Sequence, residues 1–238
     1  MGLLDLICPT RCSGCGTPAS LVCGRCAVTL AAPAVRHVPT PCPAGMPPTW
    51  VASEYDGPVR SMLIEFKERG AVGLAAPLGE VVARCLTAAV TDSAGGLLVV
   101  PVPSAAATVR RRGDDVIRLL AEHAARRLRA GDRRYRVAAV LRQRRPVADS
   151  AGLSSSARAT NLAGALEVRR SAVPRVRGAT VLIVDDLVTT GATLVAATEA
   201  LSGAGACVLG AAAVAATRRR KTVSWAAGGI ALPSVLPR

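Results

Sequence analysis

Apolar positions along the chain fall into short unbroken runs, with helical periodicity between them. The runs "LLVVPVP" (97–103), "VAAVL" (137–141), "TVLIVDD" (180–186) and "CVLGAAAVA" (207–215) read as strands. Over 115–130, Ile117, Leu120, Ala121, Ala124 and Leu128 recur at the spacing of one helix face. The stretch "TLVAATEALSGAG" (193–205) reads as a helix that ends at a glycine. Continuous apolar strands alternating with helices predict an α/β domain whose mostly parallel central sheet is covered on both faces. This pattern starts near Trp50, so 49–238 is expected to be that domain. The preceding "AAPAVRHVPTPCPAGMPP" (31–48) is Pro-rich with little periodicity and reads as a linker. No internal repeat is evident.

Composition changes this picture in two ways. Half of the 238 residues are hydrophobic but only 2% are aromatic, so the core must be built from Val, Leu, Ile and Ala. Lys and Arg together number 30 against 16 Asp and Glu, a formal charge of +14, and only Lys67 and Lys221 are lysines. A GC-rich genome accounts for Arg over Lys but not for the excess of base over acid. A partner that carries phosphate would account for the excess, because Arg grips phosphate oxygens in a bidentate fork. The opening "MGLLDLICPTRC" has neither the basic start nor the long apolar run of a secretory signal, and Leu6 occupies the position where myristoylation needs Ser or Thr. Asp185, Asp186 and Glu199 interrupt the apolar stretch at 179–216, which argues against a membrane span there. A cytoplasmic protein is the expectation.

Six of the eight cysteines lie in the first 42 residues, and 1–30 is expected to be a separate cysteine module. Within it, "CSGCGTPASLVCGRC" carries Cys12-x2-Cys15 and Cys23-x2-Cys26, two knuckles seven residues apart. Two such knuckles supply the four thiolates of a closed, tetrahedral structural zinc site. The competing readings are a disulfide pair, which is rare in a reducing compartment, and a redox CxxC, which would not come as a doublet. Cys8 and Cys42 are spare or substitute ligands in this reading, and Cys85 and Cys207 sit in apolar contexts expected to be core.

The most informative stretch is "VLIVDDLVTTGATL" (181–194). A loop at the C-terminal end of a parallel strand enters the crevice where open α/β sheets bind ligands. The helix that follows offers free N–H groups and a positive dipole end to an anion. Thr189, Thr190 and Thr193 add hydroxyls there, and Gly191 and Ala192 keep the backbone accessible. Asp185 and Asp186 would repel a phosphate, but they suit a ribose diol, or Mg2+ held directly or through water. The combination fits a sugar phosphate. Neither a Walker A loop nor a G-x-G-x-x-G fingerprint is present here.

Residue by residue, "VLIVDDLVTTGAT" resembles the phosphoribosyl pyrophosphate (PRPP) motif of the type I phosphoribosyltransferases. With the cysteine doublet, "FKERG" (66–70), "VPVPSAAATVRRRG" (100–113) and "GLSSSARATNLAGAL" (152–166), the chain looks like the ComF-like branch of that family. The resemblance implies a type I phosphoribosyltransferase fold preceded by a small zinc-ribbon-like module. It implies that Val102, Pro103 and Ser104 form the diphosphate loop, with Arg111 and Arg112 beside it. It makes 142–162 a loop that closes over PRPP, with Arg158 and Asn161 at the family's Arg-x-x-Asn spacing. The chain departs from the family pattern at Arg112-Gly113-Asp114-Asp115-Val116 and at Ser150-Ala151, both where an acceptor would bind.

Two functions follow from the resemblance. The first is transfer of the phosphoribosyl group from PRPP, with Mg2+, to a base or amine, releasing diphosphate. Asp185 and Asp186 are then the residues closest to the chemistry. The second is a non-catalytic PRPP-binding accessory to DNA uptake in competence, with single-stranded DNA as partner. Trp50, Tyr55, Phe66, Tyr135 and Trp225 are the only aromatics, so any such binding would be electrostatic rather than stacked. A homodimer is compatible with either function. His37 and His123 have no visible partner and are not assigned to the chemistry.

Overall fold

The computed structural model describes residues 11–18, 20–90, 95–104, 115–130, 134–144 and 164–217. In chain order these form α1 (Gly24–Leu30), β1 (Val35–His37), β2 (Thr49–Glu54), α2 (Gly57–Glu68), α3 (Ala75–Ala89), β3 (Leu97–Pro101), α4 (Val116–Arg129), β4 (Tyr135–Val137), β5 (Leu141–Gln143), β6 (Leu166–Val168), α5 (Val173–Val176), β7 (Thr180–Val184), β8 (Leu187–Val188), α6 (Ala192–Gly203) and β9 (Cys207–Ala216). The central sheet has the order β1-β2-β9-β7-β3-β4, with β8 also on β9. Every pairing in it is parallel except β1 with β2. This is the α/β, mostly parallel architecture of the type I phosphoribosyltransferases.

All five residues of β3 are buried, as are Val181–Val184 of β7. Neighbouring side chains on a strand point to opposite faces, so burial of both sets means that both faces are covered. Helices α3 and α4 pack on each other and on strands β2, β9, β3 and β4, while α6 packs on β7, β9 and β6. The expected face of α4 holds: Ile117, Leu120, Ala121 and Ala124 are buried and Leu128 packs against the core. One described stretch, Val72–Ala89, is long and apolar enough to cross a membrane, but most of it is buried inside this fold as the core helix α3.

Three local expectations change. The run at 137–141 is not one strand. β4 ends at Val137, where Ala138 N–H still donates to the Val99 carbonyl; the chain then leaves the sheet and starts the antiparallel hairpin β5–β6. Cys207 is exposed rather than core, because it opens β9 before the strand enters the covered part of the sheet, while Cys85 is buried as expected. Within 31–48, Val35–His37 forms the antiparallel edge strand β1, in register with Thr49–Val51.

Candidate functional site

The connection leaving β3 runs through α4 to β4 on one side, and the connection leaving β7 runs through α6 to β9 on the other. The sheet therefore changes direction between β3 and β7, and the crevice at a parallel sheet's ligand-binding edge opens there. Residues 102–104 and 185–193 leave the C-terminal ends of these two strands. They are tied together where Val102 N–H donates to the Val184 carbonyl at 2.9 Å. Val102 is buried, and the Ser104 hydroxyl donates to Asp115 Oδ1 at 2.8 Å. Asp115 also caps α4 by accepting from Arg118 N–H, so this departure from the family pattern has a local structural task.

Asp185 and Asp186 are, with Thr49, the buried polar or charged residues of the described structure. Asp185 Oδ1 accepts from Asp186 N–H at 2.8 Å. Asp186 is only 2% exposed, and its two oxygens accept from Lys67 Nζ at 3.1 and 3.0 Å. Burial, and then the negative charge of Asp186, raise the Asp185 carboxyl well above the ordinary carboxylate range, against a weaker downward pull from Lys67. Burial alone would lower the Lys67 ammonium, but Asp186 and Asp185 together outweigh it and raise it. Lys67 was not among the expected site residues. The signal was its residue type, since it is one of two lysines in a chain that otherwise uses Arg.

The expected phosphate loop follows directly. Thr189 is exposed, Thr190 and Thr193 are half-buried, and Gly191 and Ala192 are buried. Gly191 takes the position before α6 with φ of +80°, a left-handed conformation, and no side chain caps the helix. Ala192 N–H has only a long contact to Thr190 Oγ1, at 3.4 Å. The first turn of α6 thus keeps donors available, as an anion site requires. The 39–46 segment lies against this turn: a Cβ on Gly191 would come within 2.6 Å of Met46 Sδ and 3.5 Å of Pro39. A stretch read as a linker therefore packs against the loop.

Gly191→Ala is expected to destabilise the fold by about 1–3 kcal/mol, the cost of a left-handed non-glycine residue. It should also weaken ligand binding at the loop. Met46→Ala in the same protein should recover only the steric part. Chemical denaturation of the two variants measures the difference, and a Gly191→Ala protein as stable as wild type would contradict the loop geometry.

The sulfurs of Cys12, Cys15, Cys23 and Cys26 lie within 4.8 Å of one another, and Cys15 and Cys23 are 3.6 Å apart. Four thiolates around one metal at ~2.3 Å sit about 3.8 Å from each other, so the cluster fits a small structural metal module. Among the described residues, no other group of three or more Cys, His, Asp or Glu side chains converges in this way. Burial opposes the Cys12 thiolate, but N–H groups of Cys23, Cys15 and Gly14 bring its pKa down to about 6. Burial and the neighbouring cysteines push Cys26 up, a strain that a bound cation would relieve. Cys42 is exposed and donates weakly to the Pro43 carbonyl. The module is docked on α2: a Cβ on Gly14 would lie 3.1 Å from Pro58.

Arg111, Arg112, Arg158, Asn161 and Cys8 lie outside the described residues. His37 is half-buried on β1, and burial lowers its pKa; His123 is half-buried on α4.

Residues 118–228 match the family model of the phosphoribosyl transferase domain. The match begins in α4 and includes β7, the carboxylates and the whole 185–193 loop. A comparison with curated proteins finds no match. Over that stretch the chain is similar to a phosphoribosyl transferase domain, and the mostly parallel central sheet is consistent with that likeness.

Proposed function

We propose that the chain binds PRPP at the crevice between β3 and β7 and transfers its phosphoribosyl group to a base or amine. Asp185 and Asp186 take the ribose hydroxyls. Thr189, Thr190, Gly191, Ala192 and Thr193 take the 5′-phosphate, and Val102, Pro103 and Ser104 face the diphosphate. Arg111 and Arg112 add charge beside the diphosphate, and Arg158 and Asn161 belong to the cover over the ligand. The observation that carries this reading is the buried carboxylate pair at the end of β7, joined through β8 and residues 189–191 to an uncapped helix start.

In the transfer, the ribose C1–O bond to diphosphate breaks and its electron pair leaves with diphosphate. The nucleophile supplies the pair for the new bond and gives up its proton to solvent. The protein's contribution is positioning and fixed charge. The donor set suits Mg2+ that arrives with the ligand, because Asp186 is already engaged by Lys67 and Asp185 is the carboxylate left to meet the ion or its waters. When bound, that ion neutralises the leaving diphosphate. We further propose a ComF-like arrangement in the cytoplasm: zinc on Cys12, Cys15, Cys23 and Cys26 in a module spanning 1–30, a connecting stretch at 31–48, and a phosphoribosyltransferase-like domain at 49–238.

The test is diphosphate release from PRPP and Mg2+ against a panel of nucleobases, amines and ammonia. Release that needs one acceptor class supports the enzyme. PRPP binding with no release for any acceptor, accompanied by salt-sensitive binding of single-stranded DNA, supports the accessory role instead.

A further inference from the structure

We propose that Lys67 is a positioning residue of the ligand site: it holds the Asp186 carboxylate by both oxygens and cancels one of the two negative charges. The pair then receives sugar hydroxyls instead of capturing a free divalent cation. This rests on the PRPP reading above.

Three observations converge on Lys67. The first is geometric. Its ammonium contacts Asp186 Oδ1 and Oδ2 at nearly equal distances, which fixes the plane of a carboxylate that is itself almost fully buried. A buried carboxylate needs such a partner, because leaving it unpaired out of water is strongly unfavourable. The second is electrostatic. Asp185, Asp186 and Lys67 together carry one formal negative charge; Glu68 also acts on Lys67, but no group of three or more potential metal ligands converges there among the described residues. Two adjacent unpaired carboxylates would attract a hard cation in the absence of ligand. With Lys67 in place, Asp185 alone is left for a metal, while both carboxylates still accept hydrogen bonds from hydroxyls.

The third observation is mechanical. Lys67 sits in the last turn of α2 directly after Phe66, which is fully buried, and on the same helix as buried Val59, Met62 and Leu63. Asp56 caps the other end of α2 by accepting from Gly57 N–H, and the cysteine module packs there against Pro58. The helix is anchored along its length, so the fold sets the Lys67 backbone from which Nζ reaches Asp186. Lys fits this task better than Arg. A compact ammonium has three donors, of which two reach Asp186, and the side chain is 47% exposed, so the third can meet a ligand or water.

The experiment uses Lys67→Gln and Lys67→Arg in the full chain, with two readouts that a merely structural role would move in the same direction. PRPP binding with Mg2+ is measured by calorimetry. Mn2+ binding without PRPP is measured by electron paramagnetic resonance. In Lys67→Gln, PRPP affinity should fall roughly tenfold or more, the usual scale for losing one partner of a desolvated charge pair, while Mn2+ affinity rises. Lys67→Arg, which keeps the charge, should restore PRPP affinity to within a few-fold of wild type. If Lys67→Gln binds both ligands as wild type does, or loses both in step with a lowered Tm, the inference is overturned. If wild type itself does not bind PRPP, the reading of the site fails and the inference fails with it.

Discussion

Asp185→Asn should reduce phosphoribosyl transfer by at least about 100-fold while making the protein harder to unfold. The loss follows from removing a charged acceptor of the ribose hydroxyls, since hydrogen bonds to charged groups are worth about 1.5–3 kcal/mol each. The gain follows from burial. Asp185 is held where desolvation and the Asp186 charge raise its pKa, so in the folded state it gives up its proton less readily than in the unfolded chain. A carboxyl shifted in that direction contributes stability that is complete below its unfolded pKa, near 3.8, and is lost as pH rises through the raised folded value. At neutral pH the ionised group is therefore a burden. Asn retains the Oδ1 that accepts from Asp186 N–H without carrying that charge. The variant's Tm advantage should be largest at alkaline pH and vanish toward pH 4, at about 2–4 °C per kcal/mol for a chain of this size. Thermal scans at several pH values, with diphosphate release measured alongside, check both halves. A variant that melts below wild type at pH 8 would mean that the carboxylate is stabilising, contrary to its surroundings.

The second large effect concerns the cysteine cluster. Cys12→Ser should abolish stoichiometric metal, read by elemental analysis of protein purified without chelator. It should also lower Tm by about 10 °C or more, because structural zinc sites contribute apparent free energies of about 10–16 kcal/mol to the folding of the segments they close. Cys12 and Cys26 are buried while Cys15 is exposed, so Cys15→Ser should be milder, with water able to reach the vacated corner. The effect should not stay local. The module rests on Pro58 and on the Gly73 backbone, where a Cβ would meet Leu21 at 3.0 Å, and Arg84 of α3 donates to the Leu30 carbonyl at the end of α1. Loss of the module should therefore loosen α2, the helix that carries Lys67, and weaken PRPP binding several-fold. Full metal content and an unchanged Tm in Cys12→Ser would show that another ligand set holds the metal.

Elements with a strong local signature were legible in the sequence. β3, β7 and β9 are apolar runs, and the amphipathic face of α4 has a clear period. The 185–193 loop is a dense motif whose acid, hydroxyl and glycine positions can be read without coordinates. What was missed depends on distant partners. β1 is three residues long, has no buried position and exists only because β2 offers it an edge. The 137–141 run has strand composition throughout, but β4 ends at Val137 and the chain leaves for the hairpin with β6. Lys67 reads as an ordinary polar position on a helix until Asp186, 119 residues later, is placed against it. Met46 has no local reason to be near Gly191, and only the folded path of 39–46 brings them together.

The position of β9 has a consequence for how the protein is made. It is the last described strand in the chain, yet it lies between β2 and β7, with Thr49 opposite Ala211 on one side and Ile183 opposite the same Ala211 on the other. Until that strand has left the ribosome, no strand pairing joins the N-terminal β1–β2 pair to the β7–β3–β4 ribbon, and the packing of α3 on β2 and α4 is what links them. The nascent chain therefore exposes the edge of β2 from Glu54 onward and that of β7 from Val184 onward, and both close when β9 slots in between them.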